Sequence, residues 1–233
     1  MTFEEYKKSE EKKLEINIRH MENGISFVDV NTAYIDETVK IGAGTVIGPC
    51  VTLEGSTTIG EGCIVGQNTR IKDSVIADRV EIQSSVITES QVGDGTKVGP
   101  FAYMRPGSKV GRDCKVGDFV EIKNSTFGDG SKASHLTYIG DSDVGSGVNL
   151  GCGVVFVNYD GTNKYRSTVG DGAFIGCNSN LVSPVSVGEG AYIAAGSTVT
   201  EDVEADALYI ARPRGTKKQG WVSTKGILKK KKK

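Results

Sequence analysis

Only two histidines occur in the 233 residues, His20 and His135. Imidazole titrates near neutrality, which suits it to take a proton from an amine. A solitary histidine is more often structural, so His135 gains meaning only from its surroundings. Arg105 and Lys123 lie one repeat length apart before it, with Glu121 beside Lys123. Two cations stacked closely repel unless an anion joins them. That arrangement suits a phosphate clamp; the competing reading is a solvated charged face. Beyond His135 the stretch VNYDGTNKYRST carries Asn158, Tyr159, Asp160 and Lys164.

These residues sit on an internal repeat. Aliphatic residues recur every six positions at Ile35, Ile41, Ile47, Leu53, Ile59, Val65 and Ile71. After single-residue slips the phase resumes at Val92, Val98, Met104, Val110, Val116 and Ile122, and later from Val169 to Val199. Three positions after the aliphatic residue stands Gly (44, 62, 95, 107, 130, 147, 153, 172, 190, 196) or Asn/Asp (68, 113, 178, 202). These types tolerate positive φ, so the position reads as a turn. The next position is small (Thr45, Val51, Thr57, Cys63, Ser108, Cys114, Ser197), so it and the aliphatic residue both point inward, with period two. Each hexad is thus a short strand plus a corner, and three hexads close one triangular coil. The chain is all-β, a parallel β-helix of hexapeptide repeats. Thr2 and Glu5 fit a capping box for a short N-terminal helix. The expected organisation is a helical segment at 1–20, the β-helix at 21–211 and an irregular basic tail at 212–233.

Counting coils places Val98, Val116, Ala133, Leu150, Ile175 and Ile193 on one face, with the loop at 157–168 treated as an insertion. Two residues further on, Pro100, Asp118, His135, Cys152, Cys177 and Ala195 form a column along a corner. Beyond His135 this column is small, an open ledge spanning three coils, about 14–15 Å at strand spacing. A pantetheine arm of similar length could lie there with its thioester near His135.

Composition narrows the class. Hydrophobic residues are 37%, glycines number 31, and there is one Trp, which fits a thin repetitive fold. No apolar run reaches the ~18 residues of a membrane span, and the charged opening is no signal peptide. The five Cys form no metal or disulfide framework, so a cytoplasmic location is expected. From Arg212 onward there are basic residues and no acid, against a net charge of −1 overall. This reads as a solvated tail, with no nucleic-acid partner.

The stretches RPGSKVGRDCKVGDFVEIKNSTFGDGSKASHLTYIGDSDVGSGVNLGCG and VNYDGTNKYRSTVGDGAFIGCNSNLVSPVSVGEGAYIAAGSTVTEDV carry a more specific resemblance. They resemble the acetyltransferase domain of bifunctional N-acetylglucosamine-1-phosphate uridyltransferase/glucosamine-1-phosphate acetyltransferases over roughly residues 16–221. The resemblance implies a left-handed coil, although chirality rules alone would favour the right hand. It implies transfer of the acetyl group of acetyl-CoA, a co-substrate, to glucosamine 1-phosphate in UDP-N-acetylglucosamine and cell-wall precursor synthesis. His135 matches the catalytic base. Arg105 and Lys123 match sugar-phosphate ligands, Tyr138 and Asn149 sugar-binding residues, and Asn158, Tyr159 and Lys164 the inserted loop, whose lysine reaches a neighbouring subunit. Cys152, Cys177, Ala195 and Arg212 match acetyl-CoA contacts; many members have Ala and Ser where this chain has the two Cys. A homotrimer with sites between subunits follows. Nothing resembles the nucleotidyltransferase domain, so no uridyltransferase activity is expected, and a separate uridyltransferase would be the partner.

In the expected mechanism Glu121 orients or polarises His135, backbone N–H groups near Cys152–Gly153 stabilise the oxyanion, and no metal takes part. Direct transfer is favoured over a Cys152 acyl-enzyme. The rival acceptor is another phosphorylated or nucleotide-linked amino sugar. A non-catalytic trimeric scaffold would not need this constellation, and a zinc-dependent carbonic anhydrase on the same coil would need three His.

Overall fold

The computed structural model describes residues 1–225. An α-helix, Phe3–Glu22, opens the chain and ends two residues past the expected helical segment. Its capping box is formed: Glu5 N donates to Thr2 Oγ1 at 3.2 Å and Thr2 N to Glu5 Oε2 at 2.7 Å. The helix packs on the first coil through Ile16 and Asn17, both buried. Asn17 Nδ2 donates to the carbonyls of Val30 and Ala33, tying off backbone at the open end of the solenoid.

Short parallel strands then run from Ser26–Phe27 to Leu208–Tyr209 and form three sheets of eleven, ten and nine strands. Each strand pairs with the third one along the chain, save at the end, where Tyr192–Ile193 pairs with Leu208–Tyr209, the second one along, so one turn visits all three faces. The result is a left-handed parallel β-helix. The aliphatic positions stack in register up the axis: Ile47, Leu53, Val65, Ile71, Met104, Val116, Ile122 and Ile175 are all fully buried. The small residues before them are buried too, and their hydroxyls satisfy backbone at the corners. Thr45, for example, donates to the Gly60 carbonyl at 2.9 Å and accepts from Cys63 N at 3.1 Å.

The turn positions have positive φ at every glycine named above and at Asn68, Asp113 and Asn178. Asp202 is the exception. Its carboxylate instead accepts from Ser186 N at 2.7 Å, near the end of the solenoid where the coil is no longer followed by a full one. Three large apolar residues also adopt positive φ: Phe101, Phe119 and Leu136. An L side chain there crowds its own carbonyl, so composition offered no hint of them. The tail is irregular apart from one helical turn, Trp221–Thr224, and its last residues, 226–233, lie outside the described part.

Candidate active site

Two of the longest strands, Lys115–Asp118 and Lys132–His135, pair in parallel, and their register sets Asp118 directly opposite His135. His135 Nδ1 lies 2.6 Å from Asp118 Oδ1. An ionised carboxylate can only accept, so Nδ1 carries a proton, and in the neutral imidazole Nε2 then keeps its lone pair. The hydrogen bond from His135 holds the Asp118 carboxyl below its ordinary pKa. Asp118 is thus the imidazole's partner. Glu121 has a different one, accepting from Arg105 Nη1 at 2.9 Å. Glu121, expected to orient or polarise His135, stands on a different face from it, with the corner Leu136–Thr137 between His135 and the strand that pairs with Glu121.

Around that corner, on the ten-stranded face, Arg105, Glu121, Lys123, Tyr138 and Asn158 gather with Asp141, which sequence reasoning missed. Lys123 Nζ donates to both Asp141 oxygens at 3.1 and 3.0 Å. The same carboxylate accepts from Asn124 Nδ2 at 2.7 Å and Asn158 Nδ2 at 2.5 Å. The Lys123 and Asp141 side chains are only 18% and 10% exposed. Burial raises the Asp141 pKa, but the bonds from Asn124, Lys123 and Asn158 outweigh it and leave the pKa depressed. Burial likewise works against the Lys123 charge, and Asp141 outweighs it, so the ammonium is held more firmly than usual. Arg105 and Lys123 therefore do not stand as two uncompensated cations, because each holds a carboxylate. Arg105 keeps free guanidinium donors that a phosphate could share.

The inserted loop is a small closed structure. Tyr159 and Lys164 bridge antiparallel, and Asp160 Oδ1 accepts from the backbone N–H groups of Thr162 and Asn163. Arg166 clamps its base, bonding both oxygens of Asp143 and, at 2.9 Å, the Asn124 carbonyl. Asn158 turns inward to Asp141, with Tyr138 Oη at 3.4 Å. Tyr159 faces solvent and donates to the Gly161 carbonyl.

The corner column expected from coil counting is present. Sheet register runs Val98, Val116, Ala133, Leu150, Ile175 and Ile193 up one face. Cys152, Cys177 and Ala195 follow two residues beyond the last three. The ledge carries only small side chains, and Gly151 and Gly176, which precede the cysteines, let the coils stack closely beneath it: a Cβ would lie 2.6 Å from Cys177 N and 2.4 Å from Ala195 N. Arg212 returns to this column and donates Nη1 to the Ala195 carbonyl at 2.5 Å. Small side chains ending at a guanidinium fit an extended acyl-carrier arm with an anionic end. Asn149 does not join Tyr138; it stands across the corner on the eleven-stranded face, between Lys132 and Phe174. Phe101, Phe119 and Leu136 line the same corner, 58%, 57% and 56% exposed, with the two rings stacked at 5.5 Å. Among the described residues no group of three His, Cys, Asp or Glu side chains is gathered for a metal ion, and no helix is long and apolar enough to cross a membrane. One cavity, of about 490 Å³, lies between the N-terminal helix and the first coils, remote from His135.

This coil defines a hexapeptide-repeat parallel β-helix protein. The family model described as bacterial transferase hexapeptide (six repeats) matches residues 166–201, and the GMPPB C-terminal domain model matches 30–108. By sequence the chain is similar to one half of the bifunctional GlmU proteins. It is 55% identical over 215 residues to "Bifunctional protein GlmU" of Clostridium botulinum (strain Langeland), covering 92% of this chain and 47% of that protein. With the Clostridium novyi (strain NT) protein of the same name it is 56% identical over 217 residues, 93% of this chain and 48% of the relative. The chain thus spans about half the length of the curated relatives it matches. Among solved structures, LpxA, a UDP-N-acetylglucosamine acyltransferase from Bacteroides fragilis 9343, superposes with a TM-score of 0.58 at 18% identity, covering 78% of this chain and 70% of that one, a likeness of fold.

Proposed function

We propose that the chain transfers the acetyl group of acetyl-CoA to the amine of glucosamine 1-phosphate, giving N-acetylglucosamine 1-phosphate for UDP-N-acetylglucosamine and cell-wall precursor synthesis. The observation that carries this reading is the Asp118–His135 pair at the foot of the column of small side chains. With Nδ1 committed to Asp118, Nε2 accepts the proton of the attacking amine. The amine adds to the thioester carbonyl and CoA leaves as the thiol. Backbone N–H groups of the glycine-rich corner by Cys152–Gly153 receive the developing oxyanion.

Arg105, Lys123 and Lys164 take the sugar phosphate, with Glu121 and Asp141 fixing the first two. Tyr138, Asn149, Asn158 and Tyr159 hold the sugar. The pantetheine arm lies along Cys152, Cys177 and Ala195, with Arg212 at its phosphate end. Tyr138 and Asn149 stand on opposite sides of one corner, so a single chain does not enclose the sugar. The exposed Phe101–Phe119–Leu136 edge supports closure by a neighbouring copy. We take the working form to be a homotrimer with sites between subunits.

The test is release of CoA thiol from acetyl-CoA, comparing glucosamine 1-phosphate, glucosamine 6-phosphate, UDP-glucosamine and free glucosamine. Preference for glucosamine 1-phosphate supports the proposal. Preference for another amine overturns the acceptor, and no reaction with any of them by folded protein overturns acetyl transfer.

A further inference from the structure

Cys152 and Cys177 are neighbours on successive coils. Leu150 pairs with Ile175, each cysteine lies two residues further, and the Cys152 carbonyl accepts from Asn178 N at 2.8 Å. A Cβ at Gly151 would lie 2.9 Å from the Cys177 Cα, so the two backbones are in direct contact. Neighbouring parallel strands stand about 4.8 Å apart, inside the ~4.4–6.8 Å window of Cα separations that a disulfide spans.

The other three cysteines lack such a neighbour. Cys63 and Cys114 are buried, with sulfurs against the carbonyls of Ala77 and Gly128, and burial pushes both thiols up. Cys50 is exposed, and its column neighbours are Thr32 and Asn68. Cys177 is exposed and Cys152 half-buried, so a small reagent reaches the pair from the ledge.

We infer that Cys152 and Cys177 form a modification site that closes to an intrachain disulfide by exchange with a low-molecular-weight disulfide. The Cys177 thiolate attacks one sulfur of the reagent and expels the first thiolate. Cys152, deprotonated, then attacks the Cys177 sulfur and expels the second. Two protein thiols are oxidised and one reagent disulfide is reduced to two thiols. The joined sulfurs fix the side chains across the ledge between His135 and Ala195. On the acetyl-transfer reading above, this blocks the arm of acetyl-CoA until a dithiol reductant reopens it.

The experiment incubates the whole chain with oxidised glutathione, blocks remaining thiols with iodoacetamide and maps tryptic peptides by mass spectrometry. Cleavage at Lys164 and Arg166 separates the two cysteines, so a joined peptide reports the bond directly. We expect that peptide, its loss on reduction with dithiothreitol, and its absence in Cys177→Ser. CoA release should fall at least tenfold in the oxidised protein and return on reduction. Recovery of Cys152 and Cys177 only on separate peptides overturns the inference, as does a joined peptide in protein with undiminished activity. If the reduced protein releases no CoA with any acceptor, the acetyl-transfer reading fails, while the peptide map still decides the bond.

Discussion

His135 Nδ1 and Asp118 Oδ1 are 2.6 Å apart across one coil boundary, joined by the register of two four-residue strands. Removing the base should cost the ~10²–10⁴-fold that general-base catalysis supplies, so His135→Ala should lower kcat by that amount. Asp118→Asn keeps the shape but offers an amide N–H toward Nδ1, favouring the tautomer in which Nε2 is protonated. We expect kcat to drop at least tenfold with little change in KM for either substrate. Steady-state kinetics on the two variants check this, and an unchanged kcat in Asp118→Asn would remove Asp118 from the mechanism.

The Lys123–Asp141 pair should govern acid stability. The folded pKa of Asp141 is depressed, so its contribution is present above the ordinary carboxylate value of ~3.9 and is lost as pH falls through the folded pKa. The folded pKa of Lys123 is raised, so its contribution is present below ~10.4 and is lost as pH rises through the folded value. Tm should be flat through neutrality and fall on the acid side. Asp141→Asn leaves Lys123 buried without its counter-charge, at a cost near or below the low end of the ~3–5 kcal/mol seen for breaking buried pairs, since some solvent reaches the ammonium. Thermal melts from pH 3 to 9 should show lower stability at neutral pH and a flatter acid limb.

Arg105 is the cation with donors to spare. Arg105→Ala should raise KM for glucosamine 1-phosphate at least tenfold and leave the slow reaction with unphosphorylated glucosamine nearly unchanged. Arg105→Lys should recover only part, because an ammonium cannot hold Glu121 and present a planar fork to phosphate together. An equal loss with both acceptors would mean that Arg105 does not read the phosphate.

Gly176→Ala tests the close stacking beneath the ledge. The new methyl would meet the backbone of the next coil 2.4 Å from Ala195 N, so coils must shift rather than a side chain. Overpacking of this kind costs about 1–3 kcal/mol. A lower Tm, with KM for acetyl-CoA raised, is expected in melts and kinetics.

The six-residue period determined the coil, the buried aliphatic stack and the corner column, because strand alternation and coil length are properties of local sequence. Counting alone set Asp118, His135, Cys152, Cys177 and Ala195 in one line, and the pairing bears that line out. Which side chains bond across coils was not legible. Asp118 and Glu121 are acids of similar distance from His135 in the count, yet a corner turns Glu121 onto the next face, where Arg105 claims it. Lys123 looked like a free cation because its counter-charge, Asp141, is a turn residue whose left-handed backbone points the carboxylate inward. Asn149 and Tyr138 are eleven residues apart but lie on different faces. Local periodicity fixes the face on which a residue stands, and only the stacked coils decide which charges meet.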